Sequence, residues 1–385
     1  FREQLSQLIG FDSQFVSYAL LILVLDALVI IPFVWFRANE KPLKYALIKI
    51  INVCINLGCN LFFLLALPLL ASNDPNAFWQ SLYIQENTVL YVFISNVIAS
   101  GATLILLFGV YFKIGFHFSV TIWKKMLRYS FPVLIAGVAF SINEAFDKIL
   151  LNYLLPPDIA ANEVGVYAAC YKLGVFMTLF ATAFRLGIEP FFFNHANKAN
   201  AKDTYATITK YFAICGSGIL LFVIVYIDFF KALLIKNEAY WVALSIVPII
   251  LLANLCLGIY HNLSVWYKVT DRTRYGAYIS VVGAGITLGL NFILIPKISY
   301  MGAAVATLAA YGTMMSLSYF LGRKYYRVPY DVKRIGTYLV IAMSFAGVSF
   351  YVFERNLWIG TVLLLVFLLL VFFTEKKELQ RIMKR

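Results

Sequence analysis

Eight ionisable residues sit inside long apolar runs of this chain: Asp26, Lys49, Glu144, Asp147, Lys148, Lys172, Arg185 and Glu189. A charge at bilayer depth costs about 2.5–3.5 kcal/mol on insertion scales, so such residues are functional candidates by default. Three of them are cations fit for an anion, namely Arg185, Lys148 and Lys172. Arg185 comes first, because its planar fork suits phosphate oxygens. The acids Glu144, Asp147 and Glu189 would orient these cations or take a coupling ion, Na+ or H+. Asp26 lies in mid-span with no charge beside it in its own helix, and is a second candidate coupling site.

Spacing groups these residues. Ser141, Glu144, Lys148 and Asn152 recur at three or four residues and form one helical stripe, with Asp147 at its border. Tyr171, Thr178, Thr182, Arg185 and Glu189 form another. Such stripes face protein or water rather than lipid. Arg185 and Glu189, four apart, are placed to pair. Lys172 is off its stripe, and a contact with Asp147 is expected across the short connection. Pro190 after Glu189 is expected to bend or end its helix. Lys49, near the end of its span, is expected to snorkel.

The elements that position these residues follow from composition. The chain has 385 residues, 62% hydrophobic and 13% charged, with a mean hydropathy of +0.82. A soluble domain is about 45–50% apolar and about 25% charged. Eleven stretches are apolar enough to span a bilayer, at about 20 residues each. They run roughly 15–35, 45–70, 88–112, 129–154, 164–193, 208–230, 239–266, 275–295, 300–322, 334–353 and 357–374. The expected class is an all-α membrane protein. Gly302, Ala306 and Ala310 make a small-residue ridge suited to close helix packing.

The net charge of +13 would suggest nucleic acid in a soluble chain. Here most of the 32 Lys and Arg cluster in alternate loops and the C-terminal tail. The positive-inside rule then places the C-terminus in the cytoplasm and Phe1 outside, with no nucleic-acid surface required. The five Cys lie in apolar runs without C-x-x-C spacing, and His117, His195 and His261 are scattered. No phosphate loop or nucleophile elbow occurs, so no catalytic residue, metal or cofactor is expected. A membrane-embedded transferase would need a larger outer loop than 71–87, which offers only Asp74 and Glu86 as acids.

Residues 35–64 and 266–295 are similar in register at an offset of 231 residues. Trp35, Arg37, Glu40 and Lys41 match Trp266, Lys268, Asp271 and Arg272. The copies begin six helices apart, which makes them parallel repeats. Extrapolating the repeat implies about 110 further N-terminal residues and fourteen helices in all. The expected organisation is a remnant of an N-terminal lobe over 1–120, a six-helix lobe over 121–325, and a C-terminal helix pair with a basic tail over 326–385.

Four stretches carry a resemblance: 26–57, 131–156 (FPVLIAGVAFSINEAFDKILLNYLLP), 164–193 (VGVYAACYKLGVFMTLFATAFRLGIEPFFF) and 301–312 (MGAAVATLAAYG). Together the chain resembles bacterial polysaccharide biosynthesis proteins of the Wzx type, in the multidrug/oligosaccharidyl-lipid/polysaccharide flippase superfamily. The resemblance implies a two-lobe, fourteen-helix fold in the inner membrane. It implies alternating access and movement of an undecaprenyl-diphosphate-linked oligosaccharide between leaflets, with other polysaccharide-assembly proteins as possible partners. Such a protein is not an enzyme. The alternatives are a drug/cation antiporter of the same superfamily, whose cavity should favour acids, and a lipid II flippase.

Overall fold

The computed structural model describes residues 12–73, 78–83, 88–114 and 118–383, with Glu3 and Ser6. Phe1, Arg2, Asp74, Glu86, His117, Lys384 and Arg385 lie outside the described residues. The described chain is helical throughout, without a strand. Nine helices among the described residues are long and apolar enough to cross a membrane. Many large apolar side chains, such as Leu23, Ile30 and Phe373, point outward. Lipid is the solvent for these surfaces, and only helices satisfy their own backbone there.

The chain divides into two compact units, Phe1–Ser119 and Val120–Arg385. In the first unit, α1 (Ser13–Ala38) and α2 (Pro42–Leu61) both pack on α5 (Thr88–Ile114). Helix α2 passes through a π-helical turn, Phe62–Ala66, into α3 (Leu67–Asn73). A short α4 (Phe78–Leu82) lies in the following connection.

The second unit opens with α6 (Val120–Leu154) and α7 (Pro157–Tyr171). The expected span 129–154 lies in α6, which carries Glu144, Asp147 and Lys148 and is not among the nine. After one 3-10 turn, Lys172–Gly174, comes α8 (Val175–His195). Helix α8 runs on through Pro190 instead of ending there. Pro190 is exposed, and the helix absorbs the one amide bond it loses.

Next come α9 (Ala201–Val225) and α10 (Ile227–Leu234). A 3-10 segment, Glu238–Ile246, leads into α11 (Val247–Leu263) and α12 (Val265–Val269). Pro248 falls in the first turn of α11, where its missing N–H leaves nothing unpaired. Ile250, Leu251, Ala253 and Leu255 on α11 are fully buried, which marks it as the centre of this unit.

Helix α13 (Thr273–Tyr325) contains two of the expected spans, broken after Pro296 at Ile298 and Ser299. Ser299 has φ 48°, and its hydroxyl donates to the Glu163 carboxylate. The two arms run antiparallel, with Gly283 against Met314 and Gly302 against Leu294. A Cβ added at Gly302 would lie 2.7 Å from the Leu294 carbonyl carbon. Backbone cannot move aside cheaply, so Gly302→Ala is expected to destabilise by roughly 1–3 kcal/mol. Gly285→Ala, with nothing within 4 Å, serves as the control in a detergent unfolding series. The unit closes with α14 (Val332–Gly347), which packs on α9, and α15 (Leu357–Met383), which packs on α9 and α14.

The repeat of 231 residues recurs in backbone geometry. Glu40 and Asp271, which match at that offset, have φ 53° and φ 55°. The Lys41 N–H donates to Phe36 O at 2.9 Å, and the Arg272 N–H to Tyr267 O at 2.7 Å. The Asn39 N–H donates to Trp35 O at 3.0 Å, and the Thr270 N–H to Trp266 O at 3.2 Å. The same left-handed residue thus closes the same turn twice, and neither is glycine.

Candidate functional site

Three helices of the second unit enclose a cavity of about 190 Å³. Helix α6 contributes Phe140 and Glu144, α8 contributes Thr178, Thr182 and Arg185, and α11 contributes Asn254 and His261. One turn further along α8 and α11, a smaller space of about 20 Å³ is lined by Glu189, Asn262 and Lys268. Arg185 and His261 border both. Thr178, Thr182, Arg185 and Glu189 share one face of α8 because they lie three or four residues apart, as the sequence requires.

Arg185 is the distinctive member. Its Nη1 lies 3.5 Å from His261 Nε2, and no carboxylate approaches it within 4.0 Å among the described residues. The expected Arg185–Glu189 pair is not formed. Lys268 takes Glu189 instead, at 2.6 Å. Lys268 stands on α12, next to the end of α11, and reaches Glu189 from another helix. That leaves the guanidinium as a cation with open donors inside a cavity.

Tyrosines from other helices hold both acids of α6. The Tyr171 and Tyr311 hydroxyls donate to Glu144, at 3.4 and 3.0 Å. Asp147 is buried and accepts from the Tyr167 hydroxyl at 2.6 Å and from the Lys148 amide at 2.7 Å. The Lys148 ammonium is 3.8 Å from Asp147 and lies over the Tyr171 ring at 4.4 Å from its centroid. The expected Asp147–Lys172 contact is not made. Lys172 falls in the 3-10 turn between α7 and α8, where it is exposed and away from the cavity. Its place in the sequence already puts it off the face shared by Tyr171, Thr178 and Arg185.

Several polar residues of this region gave little signal in the sequence. Asn143, one turn before Asp147, is buried and accepts from Thr287 at 2.6 Å. Asn291 is buried with no partner for its amide among the described residues. His261 has no companion at helical spacing, so only the fold brings it to Arg185. The signal for Asn143 was its spacing of four from Asp147.

The first unit has a cavity of its own, about 470 Å³, lined by Asp26, Lys49, Asn52, Asn96 and Ser100 among others. The Ser100 hydroxyl donates to Asp26 at 2.8 Å. Asn52 donates to Thr103 at 2.9 Å, and Asn56 to Asn96 at 2.8 Å. Lys49 lies over the Phe33 ring, 4.6 Å from its centroid, and lines this cavity.

No family model matches the chain, and no protein of curated function matches it. Among solved structures it is similar to the lipid II flippase MurJ in an inward closed conformation. The identity is 14% and the TM-score 0.59, over 94% of this chain and 72% of that one. It also matches an outward-facing multidrug resistance MATE family transporter of the MOP superfamily, at 18% identity and a TM-score of 0.44. A MOP superfamily transporter from Pyrococcus furiosus matches at 19% identity and a TM-score of 0.43. Each of these two likenesses covers 59% of this chain and 52% of the other. The first likeness shows the fold alone, an all-α multi-pass membrane fold like that of the MurJ structure.

Proposed function

We propose that this protein is a flippase that moves an undecaprenyl-diphosphate-linked oligosaccharide from the inner to the outer leaflet of a bacterial inner membrane. The observation that supports this reading is Arg185, a cation bordering a cavity, with no carboxylate within 4.0 Å among the described residues. A diphosphate carries charge that the bilayer centre rejects, so its carrier must offer fixed donors in a polar space. Arg185 supplies the fork, Lys148 is the second cation of the region, and Thr178, Thr182 and Asn254 supply neutral hydrogen-bonding groups. No covalent step is involved, and the cycle is alternating access with the C-terminus in the cytoplasm. The carboxylates Glu144 and Asp147, and Asp26 in the first unit, are the groups that would take a coupling Na+ or H+. Glu189 is committed to Lys268, and in this reading it holds Lys268 rather than substrate.

A lipid II substrate would present the same diphosphate and differ in its glycan. A drug or cation antiporter would need a net acidic cavity, which the unpaired Arg185 opposes. The test is a proteoliposome assay with the full-length protein. Fluorescent polyprenyl-diphosphate oligosaccharide, lipid II and a lipophilic cation are offered separately, and transfer is read by loss of accessibility to an external quencher. The expected result is protein-dependent transfer of the oligosaccharide lipid. Transfer of lipid II alone, or of the cation alone, would overturn the substrate assignment.

A further inference from the structure

The N-terminal part of α6 and the basic turn that starts α13 meet in a groove of about 620 Å³. Lys125 and Arg128 come from the first turns of α6, and Arg272 and Arg274 from the turn that starts α13. Among the described residues none of these four has a carboxylate within 4.0 Å, although Asp271 shares the groove. The Arg272 guanidinium lies over the Tyr325 ring, 5.0 Å from its centroid. Helix α13 begins here with no side chain capping its first amides. Thr273, only 6% exposed, lines the same groove, and its hydroxyl makes no hydrogen bond among the described residues. The Tyr275 N–H donates to Arg272 O at 3.0 Å, but the helix start has no side-chain cap, and with an unused hydroxyl and converging cations it selects a phosphate group.

The surroundings select its carrier. Trp123, Met126 and Leu127 are exposed on the same turns of α6 that carry Lys125 and Arg128. On α13 the exposed Tyr278, Val281 and Val282 follow directly after Arg274. The groove therefore sits at the edge of an apolar belt, with an aromatic at the boundary, as membrane interfaces have. A soluble anion has no use for that flank, whereas a phospholipid fills both parts at once.

We propose that this groove binds the phosphate of an anionic phospholipid headgroup, with the acyl chains lying along α6 and α13. The proposal rests on no step of the transport reading, and its readout is binding rather than transport. Purified full chain, stripped of lipid, is titrated with phosphatidylglycerol, with phosphatidylcholine and with inorganic pyrophosphate, and bound species are counted by native mass spectrometry. Phosphatidylglycerol is expected to bind roughly tenfold more tightly than phosphatidylcholine. The variant Arg128→Gln/Arg274→Gln is expected to lose about fivefold of that affinity, while Lys198→Gln/Lys202→Gln keeps it. Should the double variant aggregate, Arg274→Gln alone, at an exposed position, gives the same reading. Equal binding of the two lipids, or an unchanged affinity in the groove variants, overturns the proposal. Binding of pyrophosphate without a preference between the lipids makes this a soluble-anion site and overturns it as well.

Discussion

Arg185→Gln is expected to lower transport of a diphosphate-linked lipid by roughly ten- to a hundredfold, at unchanged expression and thermal stability. A hydrogen bond to a charged group contributes about 1.5–3 kcal/mol, and every 1.4 kcal/mol is about a factor of ten. Stability should hold because Arg185 has no ion pair to lose, only the 3.5 Å contact with His261. Arg185→Lys keeps the charge without the fork and should fall between the two. The arrangement also predicts an effect from outside the cavity's first ring of contacts. Lys268→Met releases Glu189, which stands four residues from Arg185 on the same face of α8. The freed carboxylate would then pair with Arg185 and compete with the substrate. Lys268→Met should reduce transport, and Lys268→Met/Glu189→Gln should recover it. Quencher-accessibility rates in proteoliposomes read all four variants. An Arg185→Gln protein that transports at the normal rate would remove the cavity from the mechanism.

The second large effect concerns stability. Lys210 on α9 is buried, and donates to Glu375 at 2.7 Å and to Glu378 at 2.6 Å, both on α15. Glu375 is fully buried, and also accepts from the Tyr338 hydroxyl of α14 at 2.9 Å. Arg334 closes the network, 3.6 Å from each acid. These groups tie the C-terminal helix pair to α9. Removing one partner of a buried pair strands the other charge and costs about 3–5 kcal/mol. Lys210→Met should therefore destabilise by up to about that much, because it leaves the buried Glu375 with the longer 3.6 Å contact to Arg334 and the Tyr338 hydroxyl. Replacing both, as Lys210→Met/Glu375→Met, should recover most of the loss, since two apolar side chains need no partner. Denaturant titration in mixed micelles, followed by tryptophan fluorescence, measures the series. Trp358 at the start of α15 is an exposed reporter.

Much of this was legible in the sequence, for reasons that can be named. Long apolar runs must be helices in lipid, so the all-α membrane class was readable from hydropathy alone. The faces of α8 were readable too, because a 3.6-residue period leaves little choice once one polar position is known. The turn at Glu40 and Asp271 showed in advance as a matched aromatic-basic-acidic pattern, and the two copies share one backbone. Lys210 shows where this reading stops. By position it is one more basic residue at the start of a span, and nothing in its neighbours marks it as the centre of a buried network. Its partners lie 165 and 168 residues away, beyond any local pattern.

The pairings among the intramembrane charges divide the same way. Sequence spacing by itself determined which residues share a helix face: Glu144 with Lys148, and Arg185 with Glu189. It also determined that such faces turn away from lipid, since hydrocarbon solvates no charge. Only the tertiary structure decided who pairs with whom. Glu189 goes to Lys268 of α12, Glu144 to tyrosines of α7 and α13, and Asp147 to Tyr167. A side chain in a low-dielectric interior takes the nearest well-aligned donor, and that donor is set by how neighbouring helices are stacked. Intrahelical spacing carries no information about that stacking, and so Arg185 was left unpaired by contacts that no reading of its own helix contains.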